Sequence, residues 1–227
     1  MLLKFLFYQN YINRLTFHFF KKKLNILILD FKNNKMAKLL SFFLLSALVL
    51  LTSAQDPADG WMAYAVGSIP SSYQRITRLE MTWTVGQNPS PSDSFFSPWF
   101  GMDPSDNLNL IQPVNPWTSD SWSMYTEYYQ WSPENNVNSD QFSVNAGQTL
   151  HGALVYDSSS DSYTLTQTIV ETGESSSQVV VCQEGKKYTV PYVVYEKTFP
   201  CNTYPPDQIV TFKNIILECD GQVNIFE

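Results

Sequence analysis

From residue 78 the chain reads "RLEMTWTV", apolar and polar residues in strict alternation. Leu79, Met81, Trp83 and Val85 fall on one side, and Arg78, Glu80, Thr82 and Thr84 on the other. A period of two buries one face of an extended strand and leaves the other in water. The pattern constrains the fold because it recurs. "GWMAYAV", "SWSMYTEYYQW", "TLHGALVYD", "SYTLTQTIVE", "SSQVVVCQ", "YTVPYVVYEK" and "IVTFKNIIL" all read as strands. Turn-forming clusters separate them: "GQNPSPSDS", "SPENNVNSD", "DSSSDS", "ETGES" and "NTYPPD". No stretch after Gln55 carries an amphipathic helix, and no internal repeat stands out. Many short strands in one domain predict an all-β antiparallel sandwich of jelly-roll type.

The amino-terminal part belongs to a different kind of sequence. "MAKLLSFFLLSALVLLTSAQ", from Met36, has a lysine, an apolar run from Leu39 to Leu51, and small residues at Thr52 and Ala54. That is the layout of a secretory signal, with cleavage expected after Ala54, and the run is short for a membrane span. Residues 1–35 are built almost wholly from Phe, Leu, Ile, Asn, Lys and Tyr, as AT-rich untranslated sequence would be if read as codons. The expected organisation is therefore a non-native leader (1–35), a signal peptide (36–54) and one β-sandwich domain (55–227).

Removing the leader changes the charge. Eight of the 14 Lys+Arg lie at or before Lys38, and 20 of the 21 Asp+Glu lie after Ala54, so the mature chain carries 6 − 20 = −14. Such a surface excludes nucleic acid as a partner, because phosphate binding needs a basic patch. It suits a soluble monomer in an acidic vacuole or outside the cell, with no stable membrane association once the signal is removed. In a secreted chain, Cys182, Cys201 and Cys219 imply one disulfide and one leftover thiol. An antiparallel return after the strand ending at Cys182 predicts a Cys182–Cys201 bond with Cys219 free; Cys201–Cys219 is the competing pairing.

Few chemistries remain. His151 is the only histidine after the leader. One histidine and three scattered cysteines make no zinc ligand set, so no metal and no cofactor is expected. Nothing near His151 resembles a strained nucleophile elbow, and no phosphate-binding glycine loop is present. Carboxylates, amides and aromatics are left. Among them Gln112 stands out, an amide in the apolar stretch "NLNLIQPV". A buried amide must be satisfied by hydrogen bonds or it costs stability.

"SPWFGMD", "LIQPVNPW", "YYQWSP" and "YVVYEKTF" follow one another along the chain. In that order they resemble the signature stretches of the glutamic peptidases (eqolisins), secreted acid proteases with a concanavalin A-like β-sandwich. The family's Trp-X-Gly-X-Asp strand falls on Trp99, Gly101 and Asp103. Its catalytic glutamine falls on Gln112, after Leu110 and Ile111, and its catalytic glutamate on Glu196, which ends "VVYE". Its aromatic strand ending in Trp-X-Pro falls on Trp131 and Pro133. Where that strand has a glutamate between two aromatic residues, this chain has Gln130, with Glu127 three residues earlier. The resemblance spans Trp61 to Leu217 and implies a polypeptide substrate bound by Trp99, Asp103, Gln130 and Trp131.

The implied pair makes chemical sense in acid. A histidine base would be protonated there, whereas a glutamate still accepts a proton from water. A glutamine amide does not titrate and donates to a developing oxyanion at every pH. The alternative is a non-catalytic, lectin-like module of the same fold, stacking carbohydrate on the aromatic residues of "WSMYTEYYQW".

Overall fold

The structure, a computed structural model, describes residues 3–4, 60–89, 95–197, 207 and 209–223. Apart from Leu3–Lys4, the expected leader and signal lie outside the described residues, as does Cys201. Every regular element described is a strand. Among these residues no helix is long and apolar enough to cross a membrane.

The strands run β1 (Leu3–Lys4), β2 (Trp61–Val66), β3 (Ile76–Thr84), β4 (Phe95–Pro104) and β5 (Asn109–Val114). Then come β6 (Trp117–Thr118), β7 (Ser121–Trp131), β8 (Glu134–Asn138), β9 (Phe142–Val144) and β10 (Thr149–Asp157). The last are β11 (Ser162–Ile169), β12 (Ser175–Val181), β13 (Tyr188–Lys197), β14 (Thr211–Cys219) and β15 (Gln222–Val223). They form two antiparallel sheets. An eight-stranded sheet has the order β2-β13-β4-β5-β7-β6, with β8 and β9 also paired to β7. A seven-stranded sheet has the order β1-β14-β3-β10-β11-β12, with β15 beside β14.

Alternation decides which residues fill the space between the sheets. Leu79, Met81 and Trp83 of β3 meet Phe96, Phe100 and Met102 of β4 in one buried cluster. Trp122, Met124 and Tyr128 of β7 join them, with Leu150 and Leu154 of β10 and Tyr163, Leu165 and Ile169 of β11. Burying a large apolar side chain is worth roughly 1.5–3 kcal/mol relative to exposure, so this layer drives the sandwich. The spacing leaves no slack at Gly152 of β10, where a Cβ would lie 2.7 Å from Phe100 and 2.8 Å from Pro113.

The other face of the eight-stranded sheet is also apolar. Trp99, Leu110, Val114, Tyr192 and Val194 form a second cluster, flanked by Trp61, Tyr64, Tyr125, Tyr129 and Val190. A strand buried on both faces, like β4, reads as a continuous apolar run rather than an alternation.

Two local expectations are corrected. Residues 134–138, read as a turn, form β8 against β7. All five are exposed, so no apolar–polar contrast marks the strand. The Cys182–Cys201 bridge is not formed: Cys182 is a buried free thiol packed into the inter-sheet cluster. There burial above all pushes its pKa up to about 11. Cys219 is likewise a buried free thiol.

Candidate active site

The outward face of the eight-stranded sheet collects the polar groups singled out by sequence. On β13 and β4, Glu196 stands opposite Ser97, Val194 opposite Trp99, Tyr192 opposite Gly101, and Val190 opposite Asp103. On β5 and β7, Val114 stands opposite Tyr125, Gln112 opposite Glu127, and Leu110 opposite Tyr129. Strand parity therefore brings Gln112, Glu127, Glu196, Trp99 and Asp103 to one face. Gly101 lets β4 approach β5 closely beside Gln112: a Cβ there would lie 2.6 Å from the Ile111 carbonyl oxygen and 3.0 Å from the Gln112 Cβ.

Each member of the implied pair is held by a neighbour. Gln112 donates from Nε2 to Glu127 Oε2 at 2.6 Å, a short charge-assisted bond. Its Oε1 is buried and has no hydrogen-bond partner among the described residues. The amide is thus oriented by its donor side. One N–H is engaged by Glu127, and the geometry of an NH₂ group leaves the second for another acceptor. Glu196 accepts at Oε2 from the Trp99 indole Nε1 at 3.1 Å. Burial pushes the Glu196 carboxyl above its ordinary range; the Trp99 bond opposes this and the charge of Glu127 adds to it. Burial, with the charges of Glu127 and Glu196, raises the Tyr125 phenol, so both carboxylates bear on the same small region.

Asp103 lies further along β4. Burial raises its pKa to about 8, against an opposing hydrogen bond from Tyr192 and with a smaller contribution from Asp106. Its Oδ1 is buried and lacks a hydrogen-bond partner among the described residues. In acid this group is a neutral carboxylic acid, able to donate as well as accept. Trp131 ends β7, 47% exposed, with its ring centroid 4.4 Å from that of Tyr129.

Gln130 does not join this face. It is buried on the inter-sheet side, where its Oε1 accepts from Tyr128 Oη and its Nε2 donates to the Pro133 carbonyl. The residue that faces Gln112 is Glu127. Matching the strand on Trp-X-Pro obscures this, because Glu127 and Gln130 are an odd number of residues apart and so face opposite ways. The readable signal is parity: Tyr125, Glu127 and Tyr129 share one face, a carboxylate between aromatic rings. Among the described residues, no three His, Cys, Asp or Glu side chains gather as a metal set.

A two-sheet antiparallel sandwich that carries a paired amide and carboxylates on an aromatic sheet face defines a narrow class. The Peptidase A4 family matches residues 64–214, and the chain belongs to that family, the eqolisin or glutamic-type peptidases. The fold is similar to that of scytalido-glutamic peptidase, solved with a transition state analog inhibitor. The TM-score is 0.55 at 17% identity, over 73% of this chain and 83% of that one. It is also similar to SCP-B, an eqolisin solved with the tripeptide Ala-Ile-His. There the TM-score is 0.50 at 15% identity, over 73% of this chain and 82% of that one. No curated protein matches the chain significantly by sequence.

Proposed function

We propose that the chain is a secreted acid endopeptidase in which Glu196 is the general base and Gln112 the oxyanion stabiliser. The observation that carries this reading is the division of labour on one sheet face. A buried-leaning carboxylate is held by an indole N–H, and an amide is aimed by a second carboxylate. In the proposed reaction Glu196 takes a proton from water, and the resulting hydroxide attacks the scissile carbonyl. The free N–H of Gln112 donates to the oxyanion as the carbonyl oxygen gains charge. Glu196 then returns the proton to the departing amine.

Glu127 acts through Gln112 as a positioning residue. Burial raises the pKa of Glu196, so its ionised carboxylate is a stronger base than that of an exposed glutamate. Trp61, Tyr64, Tyr125 and Tyr129 offer apolar walls to an extended peptide, and neutral Asp103 offers a hydrogen bond without a charge. The same rings would stack sugars, which is the basis of the lectin-like alternative. A binding module has no need of an amide aimed by a carboxylate.

Secretion rests on the signal-like stretch after Met36, and the mature protein is expected to begin at Gln55. Amino-terminal sequencing of the secreted product checks this, and recovery of Met1 contradicts it. For the activity, purified protein is incubated with a denatured protein substrate across acid pH. Cleavage is expected, and it should be insensitive to zinc chelators and serine-directed reagents. Folded protein that cleaves nothing at any acid pH but binds carbohydrate supports the lectin-like alternative instead.

A further inference from the structure

Ser97 is an anomaly on the face just described. Its side chain is fully buried, at 0% exposure, and its Oγ has no hydrogen-bond partner among the described residues. A buried hydroxyl without a partner costs stability, so a chain that keeps one needs a reason for it. Serine also has little value as apolar filling in a strand whose neighbours on this face are Trp99 and Gly101. What stands across the ladder from Ser97 is Glu196. The next pair, Phe96 and Lys197, turns inward, with the lysine Nζ 5.3 Å from the Phe96 ring centroid. By alternation Ser97 and Glu196 both point outward, and directly opposed strand residues have Cβ atoms about 4.5–5.5 Å apart. That separation is within the span of a serine hydroxyl and a glutamate carboxylate.

We propose that Ser97 is a positioning residue for the general base: its hydroxyl is the second donor to the Glu196 carboxylate, engaged when that group is ionised. The hydroxyl rotates freely, so no backbone movement is needed. Trp99 already holds one oxygen of Glu196, and Ser97 lies two residues earlier on the same face of β4, across the ladder from Glu196. The two donors together fix the carboxylate in one orientation while its proton comes and goes. Glu127 and Tyr125, both on β7, are the titratable groups shown to act on or beside Glu196. β2 presents Trp61 opposite Glu196 and Tyr64 opposite Val194. None of these supplies a second hydrogen bond to the carboxylate.

This inference rests on Glu196 being the base, and the test separates the two claims. The Glu196 carboxyl is titrated by NMR in the full protein and in Ser97→Ala, alongside thermal melts and the pH profile of kcat/KM. A donor to the charged form holds a carboxyl pKa down, so its loss raises it. The NMR titration and the acid limb of kcat/KM should both move up by roughly half to one pH unit. A merely structural serine would lower the melting temperature and leave the titration in place, and that result overturns the proposal. If the titration moves but Glu196→Gln still cleaves peptide, the role of Glu196 as base fails while its contact with Ser97 stands.

Discussion

Gln112 and Glu127 are the two side chains whose replacement should separate orientation from charge. Gln112→Ala removes the oxyanion donor, and donors of this kind are typically worth ~10²–10³ in kcat. Steady-state kinetics on a folded variant measures the loss directly. Glu127→Gln keeps an acceptor oxygen for the Gln112 amide but removes a negative charge near Glu196. That charge raises the Glu196 pKa, so its removal lowers it, and the acid limb of kcat/KM should move to lower pH. The sign is opposite to that expected for Ser97→Ala. An acid limb unmoved by Glu127→Gln would mean that the two carboxylates do not act on each other in solution.

At the scale of the strand, spacing between the sheets is the limiting quantity. Gly152 of β10 lies against Phe100 of β4 and Pro113 of β5, closer than any Cβ tolerates. Gly152→Ala should destabilise the fold by about 1–3 kcal/mol through overpacking, read as a lower melting temperature. Because Pro113 follows Gln112, the same variant should also reduce activity measured well below its melting point. Strand periodicity is also where sequence was most and least informative. β7 was legible to the residue, and β3 to within two residues at its start and one at its end, because their two faces meet different surroundings. β8 was not, since a strand exposed on both faces has no apolar residues to alternate, and only its backbone pairing with β7 defines it. The same principle explains the site. Gln112 stood out as a polar group in an apolar run and Glu196 was reached through the ordered resemblance to the glutamic peptidases, whereas Glu127 sat in a strand with polar residues on either face. Choosing between Glu127 and Gln130 required the register of β7 against β5.

For the whole molecule, buried carboxyl groups tie stability to acid. Asp103 has a folded-state pKa raised to about 8. Between the ordinary aspartate pKa and that value, the folded protein holds a proton that the unfolded chain has released. The folded state therefore loses stability as pH rises through this window, by about 1 kcal/mol per pH unit for one such group. The contribution is fully present below the unfolded pKa and gone above the folded one. Glu196, also raised by burial, acts in the same direction. Denaturant unfolding at a series of pH values should show greater stability in acid than at neutrality. Asp103→Asn, neutral at every pH, should flatten the slope, and an unchanged slope would remove Asp103 from this role.

The most direct measurement is cleavage of a denatured protein by Glu196→Gln, compared with wild type at the acid pH where the wild type is fastest. The substitution keeps the size of the side chain and its acceptor oxygen for Trp99 but removes the group that takes the proton from water. With an unchanged melting temperature, turnover is predicted to fall to the background level. A folded Glu196→Gln that cleaves at a rate comparable to wild type would contradict the account and place the chemistry on another residue.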